Sequence, residues 1–154
     1  MKLSTRSLYG LKAVVDIAAC QAAGEGNCMS IKKIADRWSI SENYLEQLII
    51  KLKKAGILSS VRGAGGGYRM NMCPSEVTVG QVLHVLEGSL LPSQCLASDT
   101  QACAEGSDVI CVTRGVWEKI HASVTNVVES ITIMDLVNDY NKSIQQINED
   151  DRNV

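Results

Sequence analysis

The chain has no phenylalanine, two prolines and few aromatic residues of any kind. Any core must therefore be built from Leu, Ile, Val, Met and Ala, which favours helices. No stretch approaches the run of about 20 apolar residues that a membrane-spanning helix needs. Charges interrupt the apolar pattern of residues 1–19, which therefore lacks the continuous core of a secretory signal. No membrane partner is expected, and the chain is expected to stay in the cytoplasm. Thiols are kept reduced there, so the six cysteines read as free, metal-bound or redox-active rather than as a disulfide framework. A length of 154 residues leaves little room for separate cofactor and substrate domains. No triad-like set of Ser, His and Asp is evident, and His84 and His121 fall on expected helices as surface or packing groups. The chain does not read as an enzyme.

The net charge of -2 hides an asymmetry. Residues 1–72 carry eleven Lys and Arg against five Asp and Glu, a net of +6, whereas residues 73–154 carry four against twelve, a net of -8. Such a division suits a polyanion-binding half joined to something else, although a run of charge can also be a solvated face.

Hydrophobic spacing supplies the elements. Leu8, Leu11, Val14 and Ala18 fit a first helix from Thr5 to Ala23, ended by the breakers Gly24 and Gly26. Ser30 can cap a short helix from Ile31 to Trp38. Ser39 and Ile40 form a brief link, and Ser41 can cap a helix from Glu42 to Ala55 with Leu45, Leu48, Ile49 and Leu52 on one face. Gly56 is placed to end it. Two short helices joined by so brief a turn predict a helix-turn-helix.

Ile57–Arg62 and Tyr68–Met72 read as two strands around the turn Gly63-Ala64-Gly65-Gly66-Gly67. This predicts a wing whose glycines let backbone approach a phosphate or groove wall while Arg62 points outward. A phosphate loop is the competing reading of the glycines, but the Gly-Lys-Ser/Thr ending and a following long helix are missing.

Thr78–Glu87 predicts a further helix ended by Gly88. Periodicity then fails from Leu90 to Ile110, a long irregular segment of the kind that is usually functional or disordered. It carries Cys95 and Cys103, with Cys111 at its far edge, and seven residues separate each successive pair. Thiolates suit iron-sulfur clusters and zinc alike, and the missing C-x-x-C pair argues against a structural zinc site. Cys20 lies on an apolar-rich helix and reads as core, while Cys28 and Cys73 border turns. Val112, Val116, Ile120, Val124, Val127, Val128 and Ile131 then form an apolar stripe. A helix this long is hard to bury in a small subunit, so the stripe is expected to pack on the first helix and on its counterpart in a second chain. Packing within one subunit is the alternative. Ser130–Val137 predicts a final short helix, after which the polar tail is expected to fray.

The sequence is therefore read as mainly α, a winged helix-turn-helix with a small β-hairpin wing and a long C-terminal dimerisation helix. Its parts are 1–73 for DNA binding, 74–93 as a connecting helix, 94–111 as a cysteine-bearing loop, 112–140 for dimerisation and the final short helix, and 141–154 as tail.

Four separated motifs, in order, carry a resemblance. The segments 1–11, 40–48, 60–68 and 111–117 resemble those of the bacterial IscR family, which also includes NsrR, RirA and CymR. The resemblance implies a dimeric winged-helix repressor or activator on a double-stranded DNA operator. Ser41, Glu42, Asn43, Tyr44 and Gln47 would lie at the start and on the exposed side of the reading helix. Gln47 would meet adenine, Ser41 and Tyr44 phosphate, and Lys51, with Lys53 and Lys54, backbone or solvent. Arg62 would enter the minor groove, with Gly63, Gly66 and Tyr68 shaping the wing. The resemblance further implies an iron-sulfur cluster on Cys95, Cys103 and Cys111, with 2Fe-2S favoured and 4Fe-4S possible. Such a chain would sense cluster status, with cluster-biogenesis genes as expected targets. A clusterless regulator answering to thiol redox state or a cysteine-metabolism partner, as in the CymR branch, is the alternative.

Two positions depart from the family pattern. Arg114 stands where IscR proteins carry a histidine, and Leu8 where NsrR proteins carry an aspartate. Arginine stays protonated and is a very poor metal ligand. The fourth ligand is thus open among Glu42, Glu46, Asp99, Glu105, Asp108, His121, a partner-chain residue, and an exogenous thiol or water.

Overall fold

A computed structural model describes residues 4–24, 28–88, 90, 96 and 112–152, with backbone alone for 148–152. Helix α1 (Thr5–Ala22) starts at Ser4, whose hydroxyl accepts from the Arg6 amide at 3.1 Å. Helix α2 (Ile31–Trp38) is capped by Ser30 and α3 (Glu42–Lys54) by Ser41, as their sequence positions predict. The turn between them is made by Ser39 at φ 53° and ψ 45°. Its amide and that of Ile40 close onto Asp36 and Ala35 carbonyls at 3.3 and 3.1 Å, ending α2 and aiming α3 across it. Gly56, at φ +77°, ends α3 and turns the chain into the hairpin.

Strands β1 (Leu58–Val61) and β2 (Gly67–Met70) pair antiparallel, with Leu58 opposite Met70 and Val61 opposite Gly67. Leu58 and Met70 are buried against the core, while their neighbours Ser59 and Arg69 share the opposite face, where Arg69 Nε donates to Ser59 Oγ at 3.2 Å. Met29 adds a third rung: it exchanges two backbone hydrogen bonds of 2.8 Å with Tyr68.

Helix α4 (Val79–Glu87) opens with a capping box of Thr78 and Gln81. It crosses α1 at Gly10, where a methyl group would run into the Leu86 side chain. The core joins α1, α2, α3, the hairpin and α4 through Val14, Ile17, Ile34, Leu45, Leu58 and Leu86. Each such buried side chain contributes roughly 1.5–3 kcal/mol.

Helix α5 (Arg114–Ser130) rests on α4, where Gly80 makes room for the Glu129 carboxylate and Thr78 Oγ1 donates to Glu129 Oε2 at 2.7 Å. It was expected against the first helix. Instead a cleft of about 480 Å³, lined by Leu8, Leu11, Val79, Leu83 and Val128, lies between α1, α4 and α5.

The frayed tail expected after Val137 is corrected by α6, one helix from Ile133 to Arg152. Thr132 and Asp135 cap each other at its start: the Thr132 amide donates to the Asp135 carboxylate at 2.9 Å, and the Asp135 amide donates to Thr132 Oγ1 at 3.1 Å. The stripe Ile133, Val137, Tyr140, Ile144, Ile147 continues at helical spacing through the polar sequence. Ile133 and Val137 are fully buried in the core, which anchors the helix.

Candidate nucleic-acid interface and cysteine segment

The buried side of α3 is Leu45, Leu48, Ile49 and Leu52. Helical spacing then directs Asn43, Gln47, Ile50 and Lys54 outward, with Glu42, Glu46, Lys51 and Lys53 on the flanks, and all eight are exposed. Glu42, Asn43, Gln47 and Lys51 thus occupy the surface their spacing predicts. Ser41 accepts from the Tyr44 amide at 3.2 Å and keeps a hydroxyl proton to donate.

Tyr44 differs from expectation. It is half-buried, with its ring set edge-on to Tyr9 at 6.3 Å and 87° and its hydroxyl 3.3 Å from Thr5 Oγ1. It braces α3 against α1 and presents only its polar tip at the surface.

The wing is fastened to the same helix. Lys53 Nζ donates to Ser60 Oγ at 3.1 Å and stands 5.8 Å from the Tyr68 ring centroid. Burial, and secondarily the Glu46 carboxylate, push the Tyr68 phenol up, keeping it a neutral hydrogen-bonding group. Arg62 is exposed directly after β1.

The glycines of the turn divide by role. Gly63 adopts φ +120°, while a side chain at Gly66 would fall 2.5 Å from the Val61 carbonyl oxygen. One at Gly67 would overlap the Met29 carbonyl. Gly65 has open space around it, and its carbonyl accepts from Cys28 Sγ at 3.0 Å. At least two of these glycines serve close approach within the protein itself.

Sequence reasoning missed the buried acid behind this face. Asp16 is 4% exposed on α1 and accepts from Trp38 Nε1 at 2.6 Å, with an Arg37 guanidinium nitrogen 3.2 Å from its other oxygen. Burial pushes its carboxyl up, against the opposing pull of Trp38, Arg37 and Lys12. Arg37 also donates to the Tyr140 hydroxyl, and Lys12 Nζ lies 4.0 Å from the Trp38 ring centroid. One carboxylate thus ties α2 to α1, and Arg37 extends the tie to α6. The only hint in the sequence is an acid inside an apolar helix with an arginine and a tryptophan adjacent at the end of the next.

Cys95, Cys103 and Cys111 lie outside the described residues, as do Asp99, Glu105 and Asp108. What is described is the frame at either end. Glu87, the last residue of α4, accepts from the Ser4 amide at 2.9 Å, from Ser7 Oγ at 2.6 Å and from Ser4 Oγ. Arg6 lies 3.7 Å from its other oxygen. At the far side Arg114 opens α5 and donates from Nε to Glu118 Oε1 at 2.8 Å. Leu8 is more than half exposed and lines the cleft.

Of the other positions weighed as a fourth ligand, Glu42 and Glu46 are on the exposed side of α3. His121 sits within α5 with Nδ1 buried and, among the described residues, unpartnered. Among the described residues no three His, Cys, Asp or Glu side chains gather. Cys20, expected in the core, is half-buried on a mixed cleft beside Asp16 and Tyr140.

No helix of the described residues is long and apolar enough to cross a membrane. The Rrf2 family, described as iron-dependent transcriptional regulators, matches residues 3–139. An HTH-type transcriptional regulator of Synechocystis is 40% identical over 139 residues, covering 90% of this chain and 89% of that protein. The structure of T. potens IscR aligns with a TM-score of 0.74 at 40% identity, covering 93% of this chain and 90% of that one. CymR, the global cysteine regulator of B. subtilis, aligns with a TM-score of 0.74 at 36% identity, covering 90% and 97%. The winged helix, the outward face of α3 and these likenesses agree: the chain belongs to the Rrf2 family and is a DNA-binding transcriptional regulator, not an enzyme.

Proposed function

We propose that the chain is a cytoplasmic homodimer that reads operator DNA with α3 and the wing and senses iron-sulfur cluster status through Cys95, Cys103 and Cys111. The observation that carries the DNA geometry is the join of wing to reading helix at Lys53, Ser60 and Tyr68. It lies in the half of the chain with net charge +6. Asn43 and Gln47 face outward for base edges, Ser41 and Lys51 for phosphate, and Arg62 for the minor groove.

The dimer reading rests on α5, which has no buried residue and exposes Val116, Trp117, Ile120 and Val127. A second α5 would cover that stripe.

The cluster reading rests on the chemistry of the donors. Three thiolates in one segment suit iron and sulfide, and both the family's iron-dependent description and the likeness to T. potens IscR support it. A bound cluster would supply an element whose presence responds to iron and oxidants. The chain's own part is to hold the segment's ends: Glu87 fixes the entry to α1, and α5 receives the exit. Arg114, engaged with Glu118 and permanently protonated, is not the fourth ligand.

Anaerobic reconstitution with native mass spectrometry and Mössbauer spectroscopy tests the reading. The expected result is a dimer carrying one cluster per chain, 2Fe-2S favoured, lost in each of Cys95→Ala, Cys103→Ala and Cys111→Ala. A colourless dimer whose operator affinity answers to thiol oxidation would replace it with the clusterless reading, which the 38% identity to B. subtilis CymR favours.

A further inference from the structure

Ile50 is the anomaly on α3. It is 45% exposed and does not pack against the core, although Ile49 beside it is fully buried. At about 100° per residue it points roughly 150° away from the centre of the buried stripe. Its neighbours on the outward face are Asn43, Gln47 and Lys54. A solvated reading helix gains nothing from a bare isoleucine at the centre of a polar face. The exposed apolar groups of α5, namely Val116, Trp117, Ile120 and Val127, belong to a stripe with an occupant already proposed.

We infer that Ile50 is a specificity-determining residue that packs on the 5-methyl group of a thymine in the major groove. The inference rests on α3 being the reading helix. An A·T pair shows the major groove an adenine edge, which an amide side chain grips, and on the other strand a methyl group, the one large apolar feature of that groove. Gln47 supplies the amide. Ile50 follows three residues later, a rise of about 4.5 Å along the helix, close to one base-pair step of about 3.4 Å. The two side chains therefore address the same or adjacent pairs, Gln47 by hydrogen bonds and Ile50 by apolar contact. Lys54, one turn further on, supplies charge for the phosphate beyond.

The test uses the full-length chain and a duplex that it selects from a random-sequence pool. Each thymine is replaced in turn by deoxyuridine, which removes only the methyl, and affinity is read by fluorescence anisotropy. One thymine per half-site is expected to lose about three- to tenfold on replacement, the scale of a buried methyl. Ile50→Ala is expected to bind the thymine duplex weaker by a similar factor and to be indifferent to deoxyuridine at that position alone.

Wild-type indifference to every replacement overturns the inference, as does a loss in Ile50→Ala that simply adds to that of deoxyuridine. Gln47→Ala separates the two readings. If it weakens binding while the methyls are silent, only the role of Ile50 fails; if Gln47→Ala and Ile50→Ala both leave affinity intact, α3 is not the reading helix.

Discussion

Ser7 Oγ donates to Glu87 Oε1 at 2.6 Å, joining the first turn of α1 to the last residue of α4 across a separation of 80 residues. With the two donors of Ser4 and the Arg6 guanidinium nearby, these bonds hold the Glu87 carboxyl at about 2, from an ordinary 4.5. A carboxyl depressed by folding adds stability above its unfolded pKa and loses it as pH falls toward the folded one. Glu87→Gln should cost about 1–2 kcal/mol at pH 7. It should also flatten the decline in stability between pH 4.5 and 2. Urea unfolding across that range is the measurement, and a variant with the wild-type acid profile would remove Glu87 from the linkage.

Gly67→Ala should destabilise the chain by about 1–3 kcal/mol, because the new methyl overlaps the Met29 carbonyl and must push the wing away. Gly65→Ala, with nothing within 4 Å, should leave the melting temperature unchanged. Paired thermal melts decide it, with equal melting temperatures for the two variants as the contrary result.

Asp16→Ala strands an indole N–H and a guanidinium in a half-buried setting. A loss of about 2–4 kcal/mol is expected. Asp16→Asn keeps an acceptor for Trp38 Nε1 and forfeits the charge opposite Arg37, so it should lose about half as much. Equilibrium denaturation of both variants checks the order, and equal losses would mean that the Trp38 bond contributes nothing.

Arg62→Ala should weaken operator binding by about 1–3 kcal/mol and shift the preference at A·T-rich flanks. Titrations against operators with A·T and G·C flanks at fixed salt measure both effects. Unchanged affinity and preference would take the wing out of recognition.

Val127→Asp puts a charge on the exposed stripe of α5 and leaves the core untouched. If that stripe is covered by a second chain, the dimer should weaken by about 2–4 kcal/mol. Sedimentation velocity over a concentration series reads the shift, and an unaltered dimer would place the interface elsewhere.

How much of this was legible in the sequence depends on the range of the interaction. Helices α1 to α4 and the hairpin announce themselves because spacing, serine caps and glycines act within a few residues. The continuation of α6 beyond Val137 is hidden because Asn138, Asp139, Asn141 and Lys142 make the segment look polar, while its apolar stripe is sparse and matters only once Ile133 and Val137 have a core to enter. Asp16 was illegible for a different reason. Its partners lie some twenty residues away, and a lone acid on an amphipathic helix ordinarily faces water. For the interface, spacing placed Asn43, Gln47 and Lys51 outward, but it could not reveal that Tyr44 leans on Tyr9. Nor could it reveal that Gly66 and Gly67 answer to backbone carbonyls of the protein as much as to any DNA. Ile50 was passed over because one apolar residue beside another reads as core.

The junction of α5 and α6 is bonded on both sides: the Val79 amide donates to Ile131 O and the Ile133 amide to Val77 O, each at 2.8 Å. With α6 anchored in the core and α5 lacking any buried residue, that junction would serve as a fulcrum for α5 as a lever. Its 17 residues span about 25 Å. A tilt of only about 10° at Ile131 would carry the Arg114 end roughly 4 Å, about one residue's length of chain. Mechanical gain of this kind lets a small rearrangement at one end of a rod be measured at the other.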